Sequence, residues 1–171
     1  MFSDSSFQYS AGAPDNPVLD IRMGKLRRSG LYFLSTDRRF LDSLFANLLG
    51  KGACPKWEVD LHHFQPAGFS LNAVRGPRGL YATIHVTPEV GFSYASYETN
   101  DFTDVPGRLR RLLEIFDPEE LTVVYSSPVG AGRDLEQDIY GSLQEDYSGR
   151  EESFTIGGQK TVQYKFTLHD S

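Results

Sequence analysis

The sequence predicts an α+β domain: a two-layer half-sandwich in which a largely antiparallel sheet carries helices on one face. Three observations lead there. Short apolar–polar alternating runs recur at hairpin spacing, two segments repeat apolar residues every three or four positions, and Gly- or Pro-containing turns separate most of them. The chain of 171 residues is long enough for one ordinary core, and it divides into a flexible N-terminal tail over residues 1–20 and a single domain over 21–171.

The elements follow in order. Residues 1–16 mix Ser, Asp and Gly without apolar period, which reads as a tail. Arg22, Lys25, Arg27 and Arg28 form a short basic cluster, expected on a solvated edge. Residues 31–35 (LYFLS) are a compact apolar run and are expected to form a buried strand. Phe40, Leu41, Leu44, Phe45, Leu48 and Leu49 then fall on one helical face, and Gly50 stops that helix. Strands are expected at 57–61, 69–74, 80–87 and 92–98. A second helix at 105–116 aligns Leu109, Leu112, Leu113 and Phe116 and is closed by Asp117-Pro118. A β-branched strand follows at 121–125, then a short helix around 135–143. A final hairpin joins 153–156 to 162–168 through Gly157-Gly158.

Composition narrows the function. With 17 Lys+Arg against 23 Asp+Glu and a formal charge of −6, the chain lacks the basic excess of a nucleic-acid binder. Its single cysteine, Cys54, builds neither a disulfide framework nor a cysteine zinc cage. No apolar stretch is long enough to span a bilayer, and residues 1–20 lack the basic-then-apolar pattern of a secretory signal, so no membrane association and a cytoplasmic setting are expected. His62 and His63 are adjacent and therefore face opposite sides of a strand, so they are not expected to share a metal ion.

One strand is unusually informative. Leu80, Ala82, Ile84 and Val86 point one way, toward the helices, while Tyr81, Thr83, His85 and Thr87 point the other. On the next strand Phe92, Tyr94, Ser96 and Glu98 share one face. That second face is semi-polar and rich in aromatics, which fits packing against another sheet, lining a ligand site, or both.

The run Phe64-Gln65-Pro66-Ala67-Gly68-Phe69-Ser70-Leu71-Asn72, then Tyr81-Ala82-Thr83-Ile84-His85-Val86-Thr87-Pro88-Glu89 and Phe92-Ser93-Tyr94-Ala95-Ser96-Tyr97-Glu98-Thr99-Asn100, resembles the eukaryotic S-adenosylmethionine decarboxylase family. There the corresponding stretches read approximately F-x-P-C-G-Y-S-M-N-G, T-I-H-I-T-P-E and F-S-Y-x-S-F-E-T-N. Family members are about twice this length, with two related halves stacked sheet to sheet into an αββα sandwich, and this chain resembles the C-terminal half. The resemblance implies that Phe64 stacks on adenine, Glu89 accepts hydrogen bonds from ribose hydroxyls, Ser70 and His85 form the pair that assists self-cleavage, and Glu98 helps hold the diamine putrescine between the sheets.

The family's pyruvoyl group comes from a serine in a Glu-Ser-Ser site of the other half. Asp4-Ser5-Ser6, Tyr125-Ser126-Ser127 and Glu152-Ser153-Phe154 are the nearest strings here, and none has the expected apolar context, so no self-generated pyruvoyl cofactor is expected. The cysteine of the P-C-G motif is Ala67. Three functions follow as expectations. The first is an enzyme using Ser70, His85 and Glu89 for acid–base work (a proton shift, elimination or cyclisation) on a small molecule, adenosyl-containing or not. The second is a non-catalytic or complementing subunit of the polyamine-pathway decarboxylase. The third is an adenosyl-ligand-binding protein. A homodimer, or pairing with a homologous half, is expected to cover the second face.

Overall fold

The computed structural model describes residues 17–28, 57–65, 67–77, 79–129, 146–156 and 158–169, with Leu48, Leu135, Ile139, Gly141 and Leu143. Among them, eight strands form one sheet: β1 (Val18–Leu26), β2 (Glu58–His63), β3 (Phe69–Arg75), β4 (Leu80–Thr87), β5 (Tyr94–Thr99), β6 (Pro118–Pro128), β7 (Tyr147–Ile156) and β8 (Gln159–Leu168). Their order is β2-β3-β4-β5-β1-β6-β8-β7, and every neighbouring pair is antiparallel. Helix α1 (Val105–Phe116) lies between β5 and β6 in the chain.

The period-two pattern decides which way each strand faces. Leu19, Ile21 and Met23 of β1, Ala82, Ile84 and Val86 of β4, Ala95 and Tyr97 of β5, and Leu121 and Val123 of β6 are all buried on one side. Val105, Leu109, Leu112 and Phe116 of α1 join them in a single cluster, as do Leu48, Leu135, Ile139 and Leu143. The outcome is an α+β layer with helical residues on one sheet face only. The expected strand at 31–35 and the expected helix at 40–49 lie outside the described residues, except that Leu48 is helical and fully buried. Ile139 donates its amide to the Leu135 carbonyl at 2.9 Å, a helical bond within the expected 135–143 segment.

Three expectations are corrected. The tail assigned to residues 1–20 ends earlier, because Val18, Leu19 and Asp20 belong to β1, which pairs with both β5 and β6 near the middle of the sheet. The basic residues of this strand obscured its alternation. The cluster itself is not a free patch: Arg22 pairs with Asp20, Lys25 with Glu120, and Arg27 and Arg28 with Asp117. The strands expected at 121–125 and in the final hairpin also run longer, since β6, β7 and β8 extend each other's ladders over 9 to 10 paired positions. The strand expected from residue 92 starts at Tyr94, after a turn in which the Phe92 amide donates to the Glu89 carbonyl.

Helix α1 begins and ends at 105 and 116, as its periodicity implied. Asp104 caps it by accepting the Gly107 amide at 3.1 Å, and a Cβ on Gly107 would lie 2.4 Å from that carboxylate, so this contact needs glycine. Under the helix, buried Asp101 accepts from Arg108 at 3.0 Å, from Arg75 at 2.9 Å, and from the Thr103 hydroxyl at 2.7 Å and amide at 3.0 Å. Burial alone would push the Asp101 carboxyl up. The Thr103 hydrogen bonds and the Arg108 charge outweigh it and hold the group below its usual value.

Candidate functional site

The side of the sheet opposite α1 carries the residues with chemistry. Because side chains alternate, Glu58, Asp60 and His62 of β2, Ser70 and Asn72 of β3, Tyr81, Thr83 and His85 of β4, Tyr94, Ser96 and Glu98 of β5, and Asp20 and Arg22 of β1 share this open face. Register turns them into rows. His62, Ser70, His85, Ser96 and Arg22 are successive cross-strand partners, and Asp60, Asn72, Thr83, Glu98 and Asp20 form the next row.

Ser70 and His85 meet directly: Ser70 Oγ lies 2.9 Å from His85 Nδ1. His85 is exposed, so its other ring nitrogen is open to a ligand. If Nδ1 accepts the hydroxyl proton, Nε2 carries the ring proton and can donate it; the other tautomer leaves Nε2 as a base. On the far side of Ser70, His62 packs edge-on against Phe64 with ring centroids 4.8 Å apart. Phe64 is 49% exposed, an aromatic left half in solvent. The chain holds it by a tight loop in which the Phe64 amide donates to the Gly68 carbonyl at 3.0 Å. Gly68 has φ +101°, and a Cβ there would lie 2.6 Å from the Val86 carbonyl oxygen, so only glycine allows this loop to sit against the end of β4.

Glu98 accepts the Tyr81 hydroxyl proton at 2.8 Å. Desolvation, that bond, and the charges of Glu98 and Asp20 all raise the Tyr81 phenol, so it stays protonated and remains a donor. Asp20 is the cross-strand partner of Glu98 and is held by Arg22 at 2.7 Å. Glu89 is exposed in the turn beyond β4, four residues past His85. The structure therefore brings Ser70 and His85 together in one row with His62, packs Phe64 on His62, sets Glu98 in the adjoining row, and leaves Glu89 beyond the end of the strand. Sequence reasoning missed His62 as a neighbour of the pair, Tyr81 as the partner of Glu98, and Asp20 with Arg22. The signal for the last two was the Leu19/Ile21/Met23 alternation, which implies that Asp20 and Arg22 face away from the core.

A sheet with one helical face and a polar second face bearing aromatics and a serine–histidine pair defines an α+β half-layer. Comparison with known proteins makes this specific. The sequence pattern of the adenosylmethionine decarboxylase family matches residues 19–165, and the chain belongs to that family. It is 34% identical over 171 residues to S-adenosylmethionine decarboxylase proenzyme 1 of Arabidopsis thaliana, covering 92% of this chain and 46% of that protein. It is 31% identical over 174 residues to the proenzyme of Solanum chilense, covering 93% and 47%. The chain thus spans about half the length of these curated relatives. The crystal structure of the Trypanosoma brucei AdoMetDC-delta26 monomer superposes with a TM-score of 0.70 at 20% identity, covering 91% of this chain and 66% of that one, a likeness of fold.

Of the strings nearest a Glu-Ser-Ser site, Asp4-Ser5-Ser6 lies outside the described residues. Ser126 and Ser127 lie within the β6 ladder, paired on β8 with Thr161 and Lys160, and Ser126 Oγ is 3.0 Å from the Thr161 hydroxyl. Ser153 lies within the β7 ladder opposite Val162. Among the described residues, no three His, Cys, Asp or Glu side chains gather to hold a metal ion, and no helix is long and apolar enough to cross a membrane.

Proposed function

We propose that this chain binds an adenosyl compound on the open face and performs acid–base chemistry on it, a proton shift, elimination or cyclisation, without a pyruvoyl group of its own. One observation carries the reading: the 2.9 Å Ser70–His85 pair stands on an exposed face, beside His62, against which the half-exposed Phe64 packs. Histidine is the side chain suited to give and take protons near neutrality. Phe64 supplies an aromatic plane for the base, a contact type worth roughly 1–3 kcal/mol. Glu89 supplies a carboxylate for ribose hydroxyls, and Glu98, already oriented by Tyr81, a second anion for a cationic group of the ligand.

Decarboxylation to an unstabilised carbanion needs an electron sink, which the proposed acid–base chemistry does not call on. The expected result with S-adenosylmethionine or a related adenosyl compound, followed by mass spectrometry, is turnover without CO₂ release that is lost in His85→Ala. Activity that persists in His85→Ala removes the acid–base assignment. A second reading, a complementing subunit of a decarboxylase, is favoured by the chain's spanning half the length of its relatives. It predicts CO₂ release only after mixing with a pyruvoyl-bearing chain.

A further inference from the structure

We propose that Ser70, activated by His85, is a nucleophile that cleaves carboxylic esters bearing a cationic group, an esterase activity of the open face. The proposal rests on the reading of His85 as a proton acceptor and goes beyond it by giving Ser70 a covalent role and the substrate a charge.

A serine hydroxyl becomes a useful nucleophile when a base within hydrogen-bond reach can take its proton. Ser70 Oγ and His85 Nδ1 are 2.9 Å apart. The β3–β4 ladder fixes that approach, because the two residues are direct cross-strand partners. Ser70 is half-buried and His85 exposed, so an ester can reach the hydroxyl from the open side while Nε2 stays in water. Donors for a developing oxyanion flank the serine. His62 is its partner on β2, and Asn72 lies two residues further along β3 on the same face. Both are exposed, and among the described residues neither the Asn72 amide nor the His62 imidazole is engaged in a hydrogen bond. Edge-on packing against Phe64, with centroids 4.8 Å apart, steadies the His62 ring.

The reaction balances with water alone. As Ser70 Oγ attacks the ester carbonyl carbon, His85 Nδ1 takes the hydroxyl proton and the carbonyl π pair moves onto oxygen, where Asn72 and His62 can donate to it. Collapse of that intermediate breaks the bond to the alcohol oxygen, which leaves with the proton from His85, and the acyl group stays on Ser70. Water then attacks the acyl carbon and gives a proton to His85; the Ser70 oxygen leaves with that proton and the free acid departs. Charge sets the substrate class. Across β2 to β5 the ionised groups on the open face are the carboxylates Glu58, Asp60 and Glu98, and no lysine or arginine of these strands lies on that side. Arg22, at the end of the row that holds Ser70, is taken by Asp20. Asp60 is exposed opposite Asn72, one row from the serine. A cationic group next to the scissile bond gains an ion partner there, and an anionic one is repelled.

Reaction with a fluorophosphonate probe, read by mass spectrometry of the digested protein, tests the nucleophile. One adduct, on Ser70, is expected in the folded wild type, absent in S70A and formed about a hundredfold more slowly in H85A. No adduct, adducts on other serines only, or labelling of Ser70 unchanged in H85A overturns the proposal. If H85A does not fold, wild type in urea decides the same point: labelling of Ser70 that is lost on unfolding supports an activated hydroxyl, and labelling that persists overturns it. Turnover of p-nitrophenyl esters tests the substrate class. The ester of a trimethylammonium-bearing acid should exceed that of succinic acid by about tenfold or more in kcat/KM, and equal or reversed values overturn the class. Adding S-adenosylmethionine to the same samples separates this inference from the proposed function. Labelling of Ser70 without any ligand-induced shift of the Phe64 and His85 ring resonances supports the nucleophile while removing the adenosyl reading. Ligand shifts without labelling overturn the nucleophile alone.

Discussion

The two faces of this sheet use the same backbone for different ends. On the helical face Leu19, Ile21, Ile84 and Val123 are almost completely buried, and the buried charges Asp101 and Arg108 are fully engaged with each other and with Thr103. On the open face, one residue along each strand, Asp20, Thr83 and Val124 are only half-buried and His85 is exposed. The buried core lies on one side of the pleat, and the proposed function places the chemistry on the other. On that proposal a substitution on the open face is cheap for folding and costly for activity, and the reverse holds a residue away.

Adjacent residues of β4 put this contrast under the greatest strain. Ile84→Ala is expected to cost about 2–5 kcal/mol in chemical denaturation, whereas Thr83→Ala should lie within about 0.5 kcal/mol of wild type. Equal losses would mean that both faces are packed. Comparable in size is Arg108→Ala, which removes the buried cation of the Asp101 carboxylate and leaves it Arg75 and Thr103; thermal melts should report a loss of roughly 3 kcal/mol. Gly68→Ala should cost about 1–3 kcal/mol through its positive φ and the Val86 carbonyl, and should move Phe64, read as a change in its aromatic proton shifts.

The Asp101 network also gives a pH signature. Its folded value is lowered, so on acidification the unfolded chain takes up this proton first. The stabilisation is present above the ordinary value near 3.8 and is lost as the pH falls through the folded value. Asp101→Asn should flatten that acid limb, and an unchanged limb would assign it to other carboxylates. Smallest in stability is His85→Ala, expected within about 1 kcal/mol of wild type by denaturant unfolding because the ring is exposed.

Much of this was legible in the sequence. Helix α1 and the four consecutive strands β2 to β5 stand out through clean periodicity and through turns with glycine or proline. Ser70 and His85 were legible as a pair only through the family resemblance, and the β3–β4 register sets them opposite one another. Strand β1 was not legible, because its polar side carries Asp20 and Arg22 and its far end runs into Lys25, Arg27 and Arg28, so charge masked an alternation that only pairing with β5 and β6 reveals. The Tyr81–Glu98 bond was hidden for a related reason: both residues were placed on the open face, but their diagonal approach across two strands depends on register, which alternation alone does not supply.

An adenosyl ligand on the Ser70–His85 side of the sheet is what the proposed function stands or falls on. It is best probed by following the ring resonances of Phe64 and His85 by NMR as S-adenosylmethionine is added. Saturable shifts at both residues, disappearing in Phe64→Ala, are the expected result. Shifts confined to the helical face, or none at millimolar ligand, would contradict it.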